Sequence, residues 1–392
     1  MQSSILSTYK RSNLSFTKGK GSYLITKNGK KYLDFASGIA VNSLGHCNSE
    51  LIKVLNNQSK KMWHISNAFQ IPEQEELAKK LTNLTFADKV FFCNSGAESV
   101  ESAIKIARAY HQIKKRKNKF KIITIKGSFH GRTLATISAS GQKKMIEGFK
   151  PLLDGFVQVE FGDHKQIEKA IDNQTAAIMI EPILGEGGIK VIPNQCLEGL
   201  RKLCDNKKIL LIFDEVQSGV GRTGKLFSYQ WSKIKPDILS TAKGMGGGFP
   251  IGVCLVSNKA SKGIKFGSHG STFGGNPLAC SVAKRVIEII SKKKFLNDLN
   301  QKAAFFVNKL EKIKKTYNHL IDEIRGKGFL LGIKCKINNS IFIEKLRNNG
   351  LLVIGASESV IRILPPLNVS KKDLKIALKI IEKTCMDINN KR

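Results

Sequence analysis

Through the middle of the chain, apolar residues gather in short unbroken runs rather than alternating with polar ones. Such runs lie at 89–93, 121–125, 176–180, 209–213 and 238–240, each ending in a polar or glycine-rich turn that leads into helical spacing. A strand with one wet face alternates, so these runs predict strands covered on both faces, in a mainly parallel sheet flanked by helices. Ligands of such sheets bind beyond the carboxyl ends of the strands, which directs attention to the residues just after each run. Ahead of the runs, residues 21–35 predict a hairpin, with Asn28-Gly29 suited to a type I′ turn. Helical spacing resumes near Pro277, then passes through Gly326-Lys327-Gly328 into strand-like stretches at 329–335 and 360–364. The expected architecture is α/β, with a large domain over 51–276. A smaller α+β domain over 277–392 is expected to be joined by the N-terminal segment 1–50.

With 392 residues and 41% hydrophobic content, the chain can bury a large core, which excludes a disordered protein. No stretch approaches the roughly 18 apolar residues of a membrane span. The opening Met1-Gln2-Ser3-Ser4-Ile5-Leu6 lacks the charged start and apolar core of a signal peptide. A cytoplasmic location and no membrane partner are expected. The cysteines at 47, 93, 196, 204, 254, 280, 335 and 385 lie far apart without a C-x-x-C pair. Neither a metal site nor a disulfide framework is suggested, and buried reduced thiols are expected.

A net charge of +34 raises the question of nucleic acid. Lys outnumbers Arg and is spread through the chain, and the runs Lys114-Lys115-Arg116-Lys117 and Lys292-Lys293-Lys294 have no interleaved aromatics. The pattern reads as a solvated lysine surface without a specific nucleic-acid partner, whose field would draw in small anions.

Three segments carry candidate chemistry. Phe91-Phe92-Cys93-Asn94-Ser95-Gly96-Ala97-Glu98 runs from a strand into a helix expected over 99–110. Free N–H groups and the helix dipole favour an anion there, and Gly96 would let it approach the backbone. Ser95 and Glu98 also have capping-box spacing, which accounts for both without any ligand. The second segment, 209–217, ends a very apolar strand with Asp214 and Glu215. A carboxylate there needs a cation, such as a pyridinium nitrogen, unless it caps the next helix. In the third, Lys243 follows a strand end and precedes four glycines in five residues. Desolvation would make its amine neutral and nucleophilic; a loop lysine is the plainer reading.

Two look-alikes fail. Gly219-Val220-Gly221-Arg222-Thr223-Gly224-Lys225 has Walker A spacing, but Leu226 stands where a Ser or Thr must hold magnesium. The glycines after Lys243 do not complete a dinucleotide fingerprint, because Phe249 takes the last position and a strand follows.

Taken together, the ordered motifs Asn94-Ser95-Gly96-Ala97-Glu98, Phe129-His130-Gly131-Arg132-Thr133, Glu181-Pro182-Ile183-Leu184-Gly185-Glu186-Gly187-Gly188, Asp214-Glu215-Val216-Gln217 and Lys243-Gly244 resemble the class (subgroup) III aminotransferases of the fold type I pyridoxal-phosphate enzymes. The likeness runs from about Tyr23 to Leu367. It implies that Lys243 bonds to pyridoxal 5′-phosphate and shuttles the proton, and that Asp214 pairs with the ring nitrogen so that the ring can draw electrons. It further implies that Ser95, Gly96 and Ala97 bind the phosphate, Phe129 stacks on the ring and Gln217 bonds its phenolic oxygen. Thr272, with Ser271 beside it near the substrate, would reach the site from the other subunit of a homodimer.

Arg362, in Val360-Ile361-Arg362-Ile363-Leu364-Pro365-Pro366-Leu367, matches the family's binder of the glutamate α-carboxylate, and Arg132 the binder of the other carboxylate. Glu186 matches a residue that neutralises the first arginine when an amine lacking that carboxylate is bound. Singly, either arginine also reads as a surface salt-bridge partner. Within the family, the residues are most similar to enzymes that move the terminal amino group of N-acetylornithine to 2-oxoglutarate, with His130 favouring these over ornithine enzymes. Leu184, Cys47-Asn48 and Phe69 depart from the family's usual Gln, His-Pro and Tyr, and Phe69 bears on acyl preference. Transfer from ornithine, succinylornithine, an N-succinyl-diaminopimelate precursor or 4-aminobutyrate stays open, as does a basic binding protein that kept the fold without the chemistry.

Overall fold

The computed structural model describes residues 4–116 and 118–390; Met1, Gln2 and Ser3 of the opening segment and Lys117 of the first basic run lie outside the described residues. Seven strands form the central sheet, in the order Lys89–Cys93, Gly252–Val256, Ile238–Thr241, Leu210–Asp214, Thr175–Ile180, Lys121–Ile125 and Phe156–Val159. Gly252–Val256 runs against both of its neighbours, and the remaining pairs are parallel. The unbroken apolar runs are explained by side chains that alternate between two cores. Leu211 and Phe213 enter one with Leu197, Leu200 and Phe227, while Leu210 and Ile212 enter the other with Val100, Ala103 and Ala107. Both faces being dry, a polar side chain within a strand must find a partner, as Thr124 does by donating from its hydroxyl to Ala139 O at 2.6 Å.

Helix Gly96–Ile113 covers one face, with Val100, Ala103, Ile104 and Ala107 buried at helical spacing. It is three residues longer at each end than the sequence pattern predicts; at its start, Ser95 and Glu98 close a capping box that sets the first turn at Gly96. Helix Pro277–Ile290 begins as expected, with Asn276 accepting from Ala279 N at 2.9 Å and Pro277 at the position where a missing N–H is harmless.

The two ends of the chain meet in a second sheet, where Leu351–Leu352 pairs in parallel with Lys31–Asp34. The predicted hairpin of Tyr23–Thr26 and Lys31–Asp34 forms, but not through a type I′ turn. Of the loop residues only Gly29 has positive φ, at 82°, and Gly29 N donates to Thr26 O at 3.0 Å. A type I′ turn needs positive φ at both central residues; one extra loop residue lets Asn28 avoid it. A third sheet joins Ile321–Lys327, Leu330–Cys335, Val360–Ile363 and Ile354–Ala356, and sets Gly332 opposite Arg362.

No helix is long and apolar enough to cross a membrane among the described residues, nor do three His, Cys, Asp or Glu side chains cluster as a metal site requires. All eight cysteines are unpaired; six are buried, Cys196 is half-buried and Cys47 is exposed.

Because Phe213 is fully enclosed in the larger core, Phe213→Ala is expected to remove about 3–5 kcal/mol of unfolding free energy. Urea titration checks this, and a loss below about 1 kcal/mol would contradict the two-core packing.

Candidate functional site

The carboxyl ends of four strands converge on a cavity of about 390 Å3 whose wall includes Ser95, Gly96, Ala97, Phe129, Arg132, Asp214 and Lys243. Seven of the residues predicted from sequence therefore share one space. Asp214, the last residue of its strand, is almost completely buried. His130 Nδ1 lies 2.7 Å from Asp214 Oδ2, and since a carboxylate only accepts, that nitrogen carries the proton. Val216 N donates to the other oxygen at 3.0 Å. The neighbouring Glu215 points elsewhere and takes the capping role, accepting Ser228 N at 2.5 Å and Tyr229 N at 2.8 Å. Burial pushes the Glu215 carboxyl up to about 8, against the pull of those two N–H groups.

Lys243 is half-buried and opens a short 3-10 turn, Lys243–Gly246, with its own φ at 45°. Left-handed backbone at a lysine costs about 1–3 kcal/mol and needs support. Met245 N closes on Ala242 O at 2.9 Å, and Ser43 Oγ donates to Gly244 O at 2.9 Å. The glycine run serves that turn, with Gly247 at 55° and Gly248 at 122°. Burial first and the Arg362 charge second lower the Lys243 ammonium to about 8, against the opposing pull of Asp214, Glu181 and Glu186.

At the start of helix Gly96–Ile113 the capping box is made, with Glu98 N donating to Ser95 Oγ at 3.2 Å and Ser95 N to Glu98 Oε2 at 3.1 Å. The N–H groups of Gly96 and Ala97 still find no acceptor among the described residues. Gly96 has a packing reason the sequence did not reveal: a Cβ there would lie 2.6 Å from Val216 Cγ1.

The two arginines differ in state. Arg362 is buried; its Nη2 donates to Glu186 Oε2 at 2.7 Å and Gly355 O at 2.8 Å, and its Nη1 to Gln217 Oε1 at 3.4 Å. Arg132 is exposed on the cavity wall, with its guanidinium carbon 5.7 Å from the centre of the Phe129 ring. It makes no ion pair among the described residues. Thr272 lies exposed, outside its own chain's cavity wall. Ser271 Oγ is held within the chain, accepting Asn94 Nδ2 at 3.2 Å and Gly274 N at 3.0 Å.

Several participants escaped the sequence reading as site residues. Val41 and Val216 line the cavity, and Glu181 braces the wall by accepting Phe129 N at 2.8 Å and Gly185 N at 3.1 Å. Burial and the nearby Asp214 charge raise the Glu181 carboxyl to about 7, while His130 and those N–H groups pull it down. Val41 follows four residues of positive φ, Ser37 at 47°, Gly38 at 64°, Ile39 at 63° and Ala40 at 66°. Asp34 Oδ1 holds this turn by accepting Ala36 N at 3.0 Å and Ser37 N at 2.9 Å, and its Oδ2 lies 2.8 Å from His46 Nε2.

With a buried carboxylate, a depressed lysine and free helix N–H groups around one cavity, the arrangement suits covalent capture of an anionic carbonyl compound. The family model Aminotransferase class-III matches residues 6–385, and the chain belongs to that family. It is similar to the acetylornithine aminotransferase of Mesorhizobium japonicum, 50% identical over 379 residues that span 97% of this chain and 95% of the relative. The enzyme of that name from Brucella melitensis is 48% identical, with 96% and 93% covered. Among solved structures, ornithine aminotransferase from Toxoplasma gondii, determined with partial occupancy of PLP at its active site, superposes with a TM-score of 0.95 at 31% identity, covering 99% of this chain and 93% of that one. N-acetylornithine aminotransferase from Stenotrophomonas maltophilia gives 0.87 at 32%, with 99% of each chain covered.

The lowered Lys243 sets a pH dependence. In the folded chain it releases its proton near pH 8, against about 10.5 when unfolded, so its contribution to stability is present above pH 10.5 and is lost as pH falls through 8. The cofactor-free protein should therefore gain more stability between pH 8 and 10.5 than Lys243→Met does. Parallel curves from urea unfolding would contradict the assigned environment.

Proposed function

We propose that the chain uses pyridoxal 5′-phosphate to move the terminal amino group of N-acetylornithine to 2-oxoglutarate, giving N-acetylglutamate 5-semialdehyde and glutamate, a step of arginine biosynthesis. The observation that carries this reading is one cavity lined by a lysine of lowered basicity, a buried carboxylate and the unpaired Arg132, with the paired Arg362 close enough for its charge to act on Lys243. Support for the substrate comes from relatives named acetylornithine aminotransferase over nearly the whole chain.

The residues fit that cofactor. Two N–H groups without an acceptor stand at a helix start, where a phosphate binds well. Asp214 offers a buried carboxyl group of the kind a protonated ring nitrogen pairs with, and Phe129 and Val216 give the cavity apolar walls for a flat ring. When bound, pyridoxal 5′-phosphate supplies an aldehyde that condenses with amines and a protonated ring that draws electrons from the amine-bearing carbon.

The chain's own groups do the rest. Lys243 Nζ, neutral above about pH 8, is the nucleophile at rest and takes up the proton that leaves the amine-bearing carbon. His130 holds the Asp214 carboxylate in one orientation from Nδ1, and Gly96 and Ala97 anchor the phosphate, with Ser95 starting that turn. Gln217 is assigned to the cofactor's phenolic oxygen. Arg132, free of any carboxylate, grips the single carboxylate of N-acetylornithine while Glu186 neutralises Arg362. In the second half-reaction, Arg362 takes the α-carboxylate of 2-oxoglutarate and Arg132 the other.

We also assign a homodimer in which Thr272, with Ser271 beside it, serves the partner's site; exposed Trp63, Phe69, Phe266 and Phe273 support a covered face there. Eight unpaired cysteines support a cytoplasmic location. The proposed division into a large domain over 51–276 and a small one formed from both ends is supported by the pairing of Leu351–Leu352 with Lys31–Asp34. Transfer from free ornithine is the second reading, favoured by the backbone likeness to the Toxoplasma enzyme.

Steady-state kinetics on a substrate panel test the proposal: kcat/KM should be at least about tenfold higher for N-acetylornithine than for ornithine, a difference of about 1.4 kcal/mol. A preference for ornithine would select the second reading. Arg362→Ala should lower kcat/KM for 2-oxoglutarate about thirtyfold or more and affect N-acetylornithine far less. Equal losses would contradict the division of labour.

A further inference from the structure

If Glu186 neutralises Arg362 during the amine half-reaction, its carboxylate needs a destination when a dicarboxylate claims the arginine. Two cations flank it. Oε2 accepts Arg362 Nη2 at 2.7 Å, and Oε1 lies 3.7 Å from Nζ of Lys144. We propose that Lys144 is a positioning residue that receives the Glu186 carboxylate when it leaves Arg362, and so sets how readily the site accepts a dicarboxylate. The inference rests on the reading of Glu186 given above.

The surroundings suit such a transfer. Lys144 sits on the short helix Lys143–Ile146, whose Met145 is buried. The preceding Gln142 donates from Nε2 to Ser128 O at 2.7 Å. The backbone under Lys144 is thus tied to the strand end that leads to Phe129, while the side chain itself is 65% exposed and free to follow a moving partner. Lys144 makes no other ion pair among the described residues. On the other side, Arg362 does not depend on Glu186 for its position, because Gly355 O and Gln217 Oε1 also hold it. The backbone of Glu186 is fixed too, with its carbonyl accepting Ser357 N at 2.9 Å. What moves is one carboxylate between two cations, one buried and one in water.

An exposed ammonium shifts such an equilibrium modestly, by about twofold to fivefold. In the cofactor-loaded enzyme, Lys144→Met should raise KM for 2-oxoglutarate by that factor at low ionic strength, with kcat little changed and a smaller effect on N-acetylornithine. The increase should shrink in about 0.5 M salt, where exposed charges are screened, and Lys144→Arg should restore the wild-type KM. The deciding measurement is a double-mutant cycle with Glu186→Gln. Lys144→Met should add nothing in the Glu186→Gln background, since no charged carboxylate is left to receive. A further rise in KM there would mean that Lys144 binds 2-oxoglutarate directly, and no rise in the wild-type background would mean that it does nothing; either overturns the proposal. If Glu186→Gln alone leaves the ratio of kcat/KM for the two substrates unchanged, the underlying reading of Glu186 fails as well.

Discussion

A carboxylate at the end of a strand that is dry on both faces is stable only when its charge is answered, and much of the site is arranged around Asp214. His130 answers it from one side at 2.7 Å and Val216 N from another at 3.0 Å. Its negative charge opposes the lowering of Lys243 and raises Glu181. Breaking such a buried pair leaves an uncompensated charge, which is far more costly than the pair is stabilising. The sheet therefore does more than support the cavity, since its dryness is what makes Asp214 demand partners.

Strained backbone also borders the site. Lys243 and residues 37–40 adopt left-handed backbone, and each is tied down by polar contacts: a long-range one from Ser43 Oγ to Gly244 O, and local ones from the N–H groups of Ala36 and Ser37 to Asp34. Unfavourable backbone of this kind persists where the surroundings over-determine it. Here the surroundings are the strands of the N-terminal sheet and the glycine turn, so the segment that carries Val41 and the turn that carries Lys243 are fixed relative to each other.

The central strands could be read from the sequence because burial on both faces leaves an unbroken apolar run, and helix Gly96–Ile113 because its cap uses neighbouring residues. The strand Ile321–Lys327 could not, since Asp322, Glu323, Arg325 and Lys327 give it the look of a surface loop. Site residues contiguous in short motifs were legible for the same reason as the cap. The contacts that join motifs were not. His130 meets Asp214 across 84 positions, Gly96 is required by Val216, and Glu186 meets Lys144 only once a short helix and a distant loop come together. Asn28 shows the opposite error, where a good local turn signal yields to a loop one residue longer that spares it a left-handed conformation.

Lys243, lowered in basicity and set in the same cavity as Asp214, is the group proposed to capture the cofactor. Borohydride reduction of the protein loaded with pyridoxal 5′-phosphate, followed by digestion and peptide mass analysis, tests it most directly. The expected result is one pyridoxyl group per chain, on the peptide containing Lys243, with the label lost in Lys243→Ala. A label spread over other lysines, or retained in that variant, would contradict it.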